Sequence, residues 1–148
     1  MARVILYPFL FPTDLVGWAL VSLIGLIGRA RFSFTSGVLL AMLPRETWIG
    51  HRFAAWGGVT LGHAMLIFAD QSPATLVHES THVRQLEGAG VAAFCLGLIT
   101  VDHPIQAFLI WALGPTLTYL GGTVVALCYG GNAYRDNPNE VAAYDRAR

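Results

Sequence analysis

The chain contains no lysine. All nine of its cations are arginines, matched by nine carboxylates, and they form no basic run. A nucleic-acid partner needs such a run to track its phosphates, so nucleic acid is set aside as a partner. Charge of either sign is scarce: Asp, Glu, Lys and Arg make up 12% of 148 residues, about half the share of an ordinary soluble domain. Cysteine is nearly absent as well. Cys95 and Cys128 stand alone inside apolar segments, in no C-x-x-C pair, which argues against cysteine-ligated zinc and leaves the redox compartment unread. There is no internal repeat and no low-complexity tract, and the length is that of one domain, 1–148.

What the chain does have is apolar sequence, 55% by residue. Residues 4–28 read as a membrane anchor, with Pro12, Thr13 and Asp14 as the helix start and Leu15 to Ile27 apolar on nearly every face. A cleaved signal peptide is the rival reading, weakened by the lack of a small-x-small site after the run. Residues 29–70 read as a small β region. Phe32 and Phe34 alternate with Ser33 and Thr35, Ser36-Gly37 supplies a hairpin turn, and 59–69 reads as a third strand with Leu61, His63, Met65 and Ile67 on one face. Between them, Trp48 and Trp56 sit in an irregular connector suited to a membrane–water boundary. Ser72-Pro73 opens a helix over 72–101, with Gly88 and Gly90 as weak points. "DHP" ends it, and 105–128 is the longest apolar run in the chain, 24 residues without a charge. Residues 130–148 turn at Gly130-Gly131 and start a short helix at Asn137-Pro138.

The helix from Pro73 carries "VHESTHVRQ". His78, Glu79 and His82 form H-E-x-x-H, which random placement of five His and four Glu would produce in roughly 0.4% of such chains. Residues four apart share a helix face, so His78 and His82 can both direct a ring nitrogen at one zinc ion. Glu79, about 100° further round, reaches a water on that ion and can act as the base that deprotonates it. A third ligand is needed. The candidates are His51, His63, Glu87, His103 and Glu140, and Glu140 is preferred, with His63 as the alternative. The competing role of Glu140 is a capping box with Asn137.

His78, Glu79 and His82 with the downstream helical "NPNEVAAYD" resemble the gluzincin zinc metallopeptidases. More closely, H-E-x-x-H-V-R-Q with Y-R-D-N-P-x-E-x-x-A-Y resembles a group of small bacterial membrane proteins, over about residues 29–148. The resemblance implies Zn2+ on His78, His82 and Glu140 with Glu79 as catalytic base, and it carries no substrate. One position departs from the gluzincin pattern. Many of those enzymes place an aspartate four residues after the third ligand to orient a histidine. Here that position is Tyr144, and Asp145 falls at +5, about 140° from Glu140. Asp136 or Asp70 is the expected substitute, with Asp145 the other candidate. Tyr134, Arg135 and Tyr144 are candidate oxyanion donors, and the strand carrying His63 is a candidate for pairing with a peptide substrate. Arg84 and Gln85 read as ordinary helix surface.

If Glu140 joins the histidines, the chain from 83 to 139 must leave and return to one side. That predicts a helical hairpin turning at "DHP". Arg29, Arg31, Arg45, Arg52, Arg84, Arg135, Arg146 and Arg148 then lie on the metal side and only Arg3 beyond the first span, which predicts a cytoplasmic metal face. The expected fold is an α+β membrane protein. A small antiparallel sheet packs near the HExxH helix, with an N-terminal membrane helix and a helical hairpin in the C-terminal half. The expected function is a membrane-embedded, zinc-dependent metallopeptidase-like hydrolase of the bacterial inner membrane, with lipid and a peptide or protein substrate as partners. The alternative is a non-catalytic membrane protein whose metal site is structural or absent.

Overall fold

A computed structural model describes residues 6–52, 57–100 and 102–148; Arg3 and Trp56 lie outside them. The elements run α1 (Tyr7–Ile27), β1 (Arg31–Thr35), β2 (Val38–Leu43), α2 (Trp48–Arg52), β3 (Gly58–Leu61), β4 (Ala64–Phe68), α3 (Pro73–Thr100), α4 (Pro104–Cys128) and α5 (Pro138–Ala147). The fold is α+β, as expected, but the sheet is mixed rather than antiparallel. Its order is β1-β2-β4-β3, with antiparallel outer pairs and a parallel central pair, β2 with β4.

The difference comes from one glycine. The run 59–69 is not a single strand: Gly62 takes φ +59°, a left-handed conformation that costs glycine little and folds the segment into a second hairpin. His63 therefore lies in a turn instead of alternating on a strand face. The first hairpin turns as predicted, with Ser36 and Gly37 both at positive φ. Each hairpin puts its second strand inside, so β2 and β4 meet parallel. All five residues of β4 are buried, because a central strand covered on both faces has no polar side to show. One face packs Ala41, Leu43, Ala64, Leu66 and Phe68 with Val21 and Trp18 of α1. The other packs Val38 and Met65 with Val83 of α3. The sheet thus separates α1 from the metal-motif half of α3.

Helix α1 starts about two turns before the expected Pro12–Asp14 boundary, and Pro12 lies within it. Asp14 is not a cap. Its carboxylate is buried and accepts from the backbone N–H of His63 at 2.7 Å. Helix α3 runs 28 residues unbroken through Gly88 and Gly90. Gly90 is where α1 crosses: a Cβ there would lie 2.7 Å from the Phe9 carbonyl oxygen. The indole N–H of Trp111 in α4 donates to the same carbonyl at 2.7 Å, so α1, α3 and α4 meet at one point. Among the described residues two helices are long and apolar enough to cross a membrane, Pro8–Ile27 and Pro104–Cys128, and only 6% of the second is buried within the chain.

Candidate metal centre

Two segments far apart in sequence, α3 and α5, bring His78, His82 and Glu140 together. The α3–α4 hairpin returns the chain to the start of α3, and Asn137 then starts α5 by accepting from Asn139 N–H at 3.0 Å. Pro138 fits the first helical position, where no donor is needed. Glu140 does not complete a capping box. It turns inward, 2% exposed, and accepts from the Tyr119 hydroxyl at 2.7 Å.

The histidine Nε2 atoms lie 3.1 Å apart. Glu140 Oε2 is 3.2 Å from His78 Nε2, and Oε1 is 3.4 Å from His82 Nε2. Ligand atoms about 2 Å from a tetrahedral ion sit about 3.3 Å from one another, and the three separations are close to that, the two from Glu140 running from different oxygens of its carboxylate. One further atom points the same way: Glu140 Oε2 is buried without a hydrogen-bond partner. A buried carboxylate oxygen left unpaired is costly, and a cation between it and the imidazoles removes that cost. The residues fit a metal ion: these three could hold one.

The cluster's electrostatics follow from its crowding. Burial raises the Glu140 pKa, but the facing His82 ring and the hydrogen bond from the Tyr119 hydroxyl outweigh burial and hold it below its ordinary value. Burial and the neighbouring His82 lower the pKa of His78. His82 goes the other way: burial lowers its pKa, but Glu140 and Gln85 more than compensate. The arrangement keeps a carboxylate facing two imidazoles.

Glu79, 5% exposed, lies against β3, where the Thr60 hydroxyl donates to its Oε2 at 2.6 Å. Burial pushes its carboxyl pKa up, against the pull of that hydrogen bond. β3 is an edge strand, so Gly57 to Gly62 line one side of a cavity of about 960 Å³ whose other walls include His78, Glu79, His82, Leu86, Tyr119 and Glu140. The Tyr144 ring packs on His78 with centroids 4.4 Å apart. Tyr134 also lines the cavity, its pKa pushed up by burial and by Tyr144 beside it.

Other sequence candidates lie elsewhere. His63 is fully buried, its Nδ1 2.9 Å from Asp14 Oδ2 and its Nε2 3.1 Å from Glu87 Oε1. Both ring nitrogens are committed, so it is not a ligand of the His78–His82–Glu140 group. Asp136 accepts from Asn132 N–H, Asp145 pairs with Arg148, and Asp70 pairs with Arg45; none of these contacts reaches a histidine. Arg135 lies in a separate surface recess. His51 is exposed on α2, and His103 caps α4. Thr60, Gln85 and Tyr119 touch the site without having been singled out for it. Gln85 alone had a local signal, because it follows His82 by three residues on the same helix face. No protein-family model, curated protein or solved structure matches the chain.

Proposed function

We propose that the chain is a zinc-dependent, metallopeptidase-like hydrolase embedded in a bacterial inner membrane, in keeping with its resemblance to gluzincins. The observation that carries this reading is the convergence of His78, His82 and Glu140 beside a buried Glu79. Two imidazoles and one carboxylate are a donor set that suits zinc and leaves a position open. Zinc held there supplies Lewis acidity, acidifying a water and polarising the carbonyl to be attacked. Glu79 Oε2 is occupied by Thr60, which leaves Oε1 to take the proton from water and pass it to the departing amine. Tyr119 holds Glu140 in place through its hydroxyl, and the free edge of β3 offers backbone groups to an extended substrate.

Placement in the membrane rests on α1 and α4. The exposed apolar face of α4, with Leu113, Leu117, Leu120 and Val124 each at least half exposed, is suited to lipid and oversized for a water-facing surface. The second half of α3, packed along α4, forms the other arm of the hairpin. The arginine distribution favours a cytoplasmic metal face.

The test measures zinc on the purified wild type and on Glu79→Gln, with cleavage of a peptide mixture read by mass spectrometry. Zinc near one per chain in both, with cleavage lost only in the variant, is the expected result. A folded wild type without zinc, or cleavage that survives in Glu79→Gln, overturns the proposal. Zinc in both with no cleavage by either favours a structural metal.

A further inference from the structure

The residue that orients a histidine ligand is missing from its expected place, and the geometry points to Gln85 as its replacement. We propose that Gln85 holds His82 in the tautomer that binds metal and fastens the helix of the third ligand to the metal helix. This rests on the metal reading above.

The two hydrogen bonds of Gln85 fix each other. Its Nε2 lies 2.8 Å from the carbonyl oxygen of Asn139. A carbonyl only accepts, so the amide nitrogen faces Asn139 and the amide oxygen faces away from it. That oxygen is 2.8 Å from His82 Nδ1. Because it too only accepts, the proton of a neutral His82 resides on Nδ1. The lone pair is then on Nε2, the atom that faces His78 and Glu140. A metal-free site with this tautomer already presents the electron pair that a zinc ion needs, with no proton to expel from that nitrogen.

The second half of the device is mechanical. Asn139 immediately precedes Glu140 in the first turn of α5, so the bond to its carbonyl ties the third ligand's backbone to α3 across 54 residues. One side chain therefore sets both the direction of one ligand and the distance to another. Only a primary amide does both jobs, since it alone among side chains of this length carries an acceptor and a donor on one rigid group. A glutamate would accept from His82 but present oxygen to the Asn139 carbonyl. A methionine of equal length would do neither. The aspartate of the gluzincin pattern orients a histidine but has no donor with which to reach α5.

The test uses the full chain in detergent micelles or nanodiscs, with Gln85→Met, Gln85→Glu and the exposed neighbour Arg84→Met as control. Zinc affinity is measured by competition with a chromogenic chelator. Histidine tautomers in the metal-free protein are read from nitrogen-15 NMR. The wild type is expected to show His82 as the Nδ1–H tautomer. Gln85→Met is expected to lose ten- to a hundredfold in zinc affinity and to show a mixed or Nε2–H tautomer. Gln85→Glu is expected to keep the tautomer but lose affinity, because only the tie to Asn139 is broken. Arg84→Met should match the wild type. An Nε2–H tautomer in the metal-free wild type overturns the proposal, and so does a folded Gln85→Met with wild-type affinity and tautomer. The tautomer needs no metal, so a wild type that never binds zinc sinks the hydrolase reading while leaving Gln85 to be judged by its spectrum. Should Gln85→Met not fold, the wild-type spectrum and Gln85→Glu still decide.

Discussion

A carboxyl group as buried as Glu79 is easier to keep neutral than charged, and its position beside Thr60 makes that cost measurable. In the metal-free protein its pKa is raised above the ordinary value of 4.5. The stability it contributes is thus full below pH 4.5 and lost as pH rises through the higher folded value. Glu79→Gln should therefore be more stable than the wild type at neutral pH when both are stripped of metal, the gap closing as pH falls below 4.5; urea melts at pH 4 and pH 7.5 would check it. A gap that widens on acidification would refute the sign. Gly58 offers a separate handle. A Cβ there would lie 2.8 Å from Glu79 Oε1, so on the proposed hydrolase reading Gly58→Ala should displace the carboxylate and lower hydrolysis at least tenfold while zinc content stays unchanged. Tyr119→Phe should do the reverse and weaken zinc about tenfold, since it removes the donor to a ligand oxygen. Among these residues the H-E-x-x-H and the Asn137-Pro138 start were legible in sequence, because each is a local pattern with a geometric consequence. Tyr119 and Thr60 were not. Each acts through one hydrogen bond to a residue 21 or 19 positions away, and such a bond leaves no periodicity.

At the scale of elements, apolar runs located the helices well and the sheet less well. Helix α3 survives two glycines because Gly90 is used: it lets the α1 backbone approach where any side chain would collide. Gly90→Leu should cost about 1–3 kcal/mol, as overpacking does at a tight site, and Gly88→Leu should cost less. Gly88 has nothing within 4 Å of a Cβ, so added helix propensity is not opposed there. Thermal melts of the two variants make the comparison. The β3–β4 hairpin escaped sequence reading because Gly62 sits inside an alternating run that looks continuous. Asp14 was misread for a related reason: Pro-Thr-Asp is a good cap pattern, and nothing local says that its acceptor is needed by a turn 49 residues away.

Seen whole, the molecule is held across its layers by one polar contact chain. Asp14 of α1, His63 of the β3–β4 turn and Glu87 of α3 are all buried and joined at 2.9 and 3.1 Å. Cutting one member of such a chain leaves the others buried without it, so Asp14→Leu should destabilise the fold by about 3–5 kcal/mol. Asp14→Leu combined with His63→Leu should recover part of that loss; a double variant as unstable as the sum of the singles would deny the coupling. The proposed topology has its own check. Asp102→Cys at the hairpin turn, in a background without Cys95 and Cys128, should react with an impermeant maleimide added to intact spheroplasts. A cysteine replacing Arg146 should react only in inverted vesicles.

The Asp14 contact chain also has a consequence for the order in which the chain is made. Helix α1 emerges from the ribosome ahead of α3, carrying a carboxylate whose partners are still untranslated: His63 follows 49 residues later and Glu87 another 24 beyond that. On the membrane reading, a lone aspartate near the middle of a span carries an insertion penalty of about 2.5–3.5 kcal/mol. Helix α1 then settles only once α3 follows it, waiting at the insertion machinery until Glu87 arrives. Nascent chains arrested before residue 87 should leave α1 extractable by alkaline carbonate, and those arrested after α3 has cleared the exit tunnel should hold it fast.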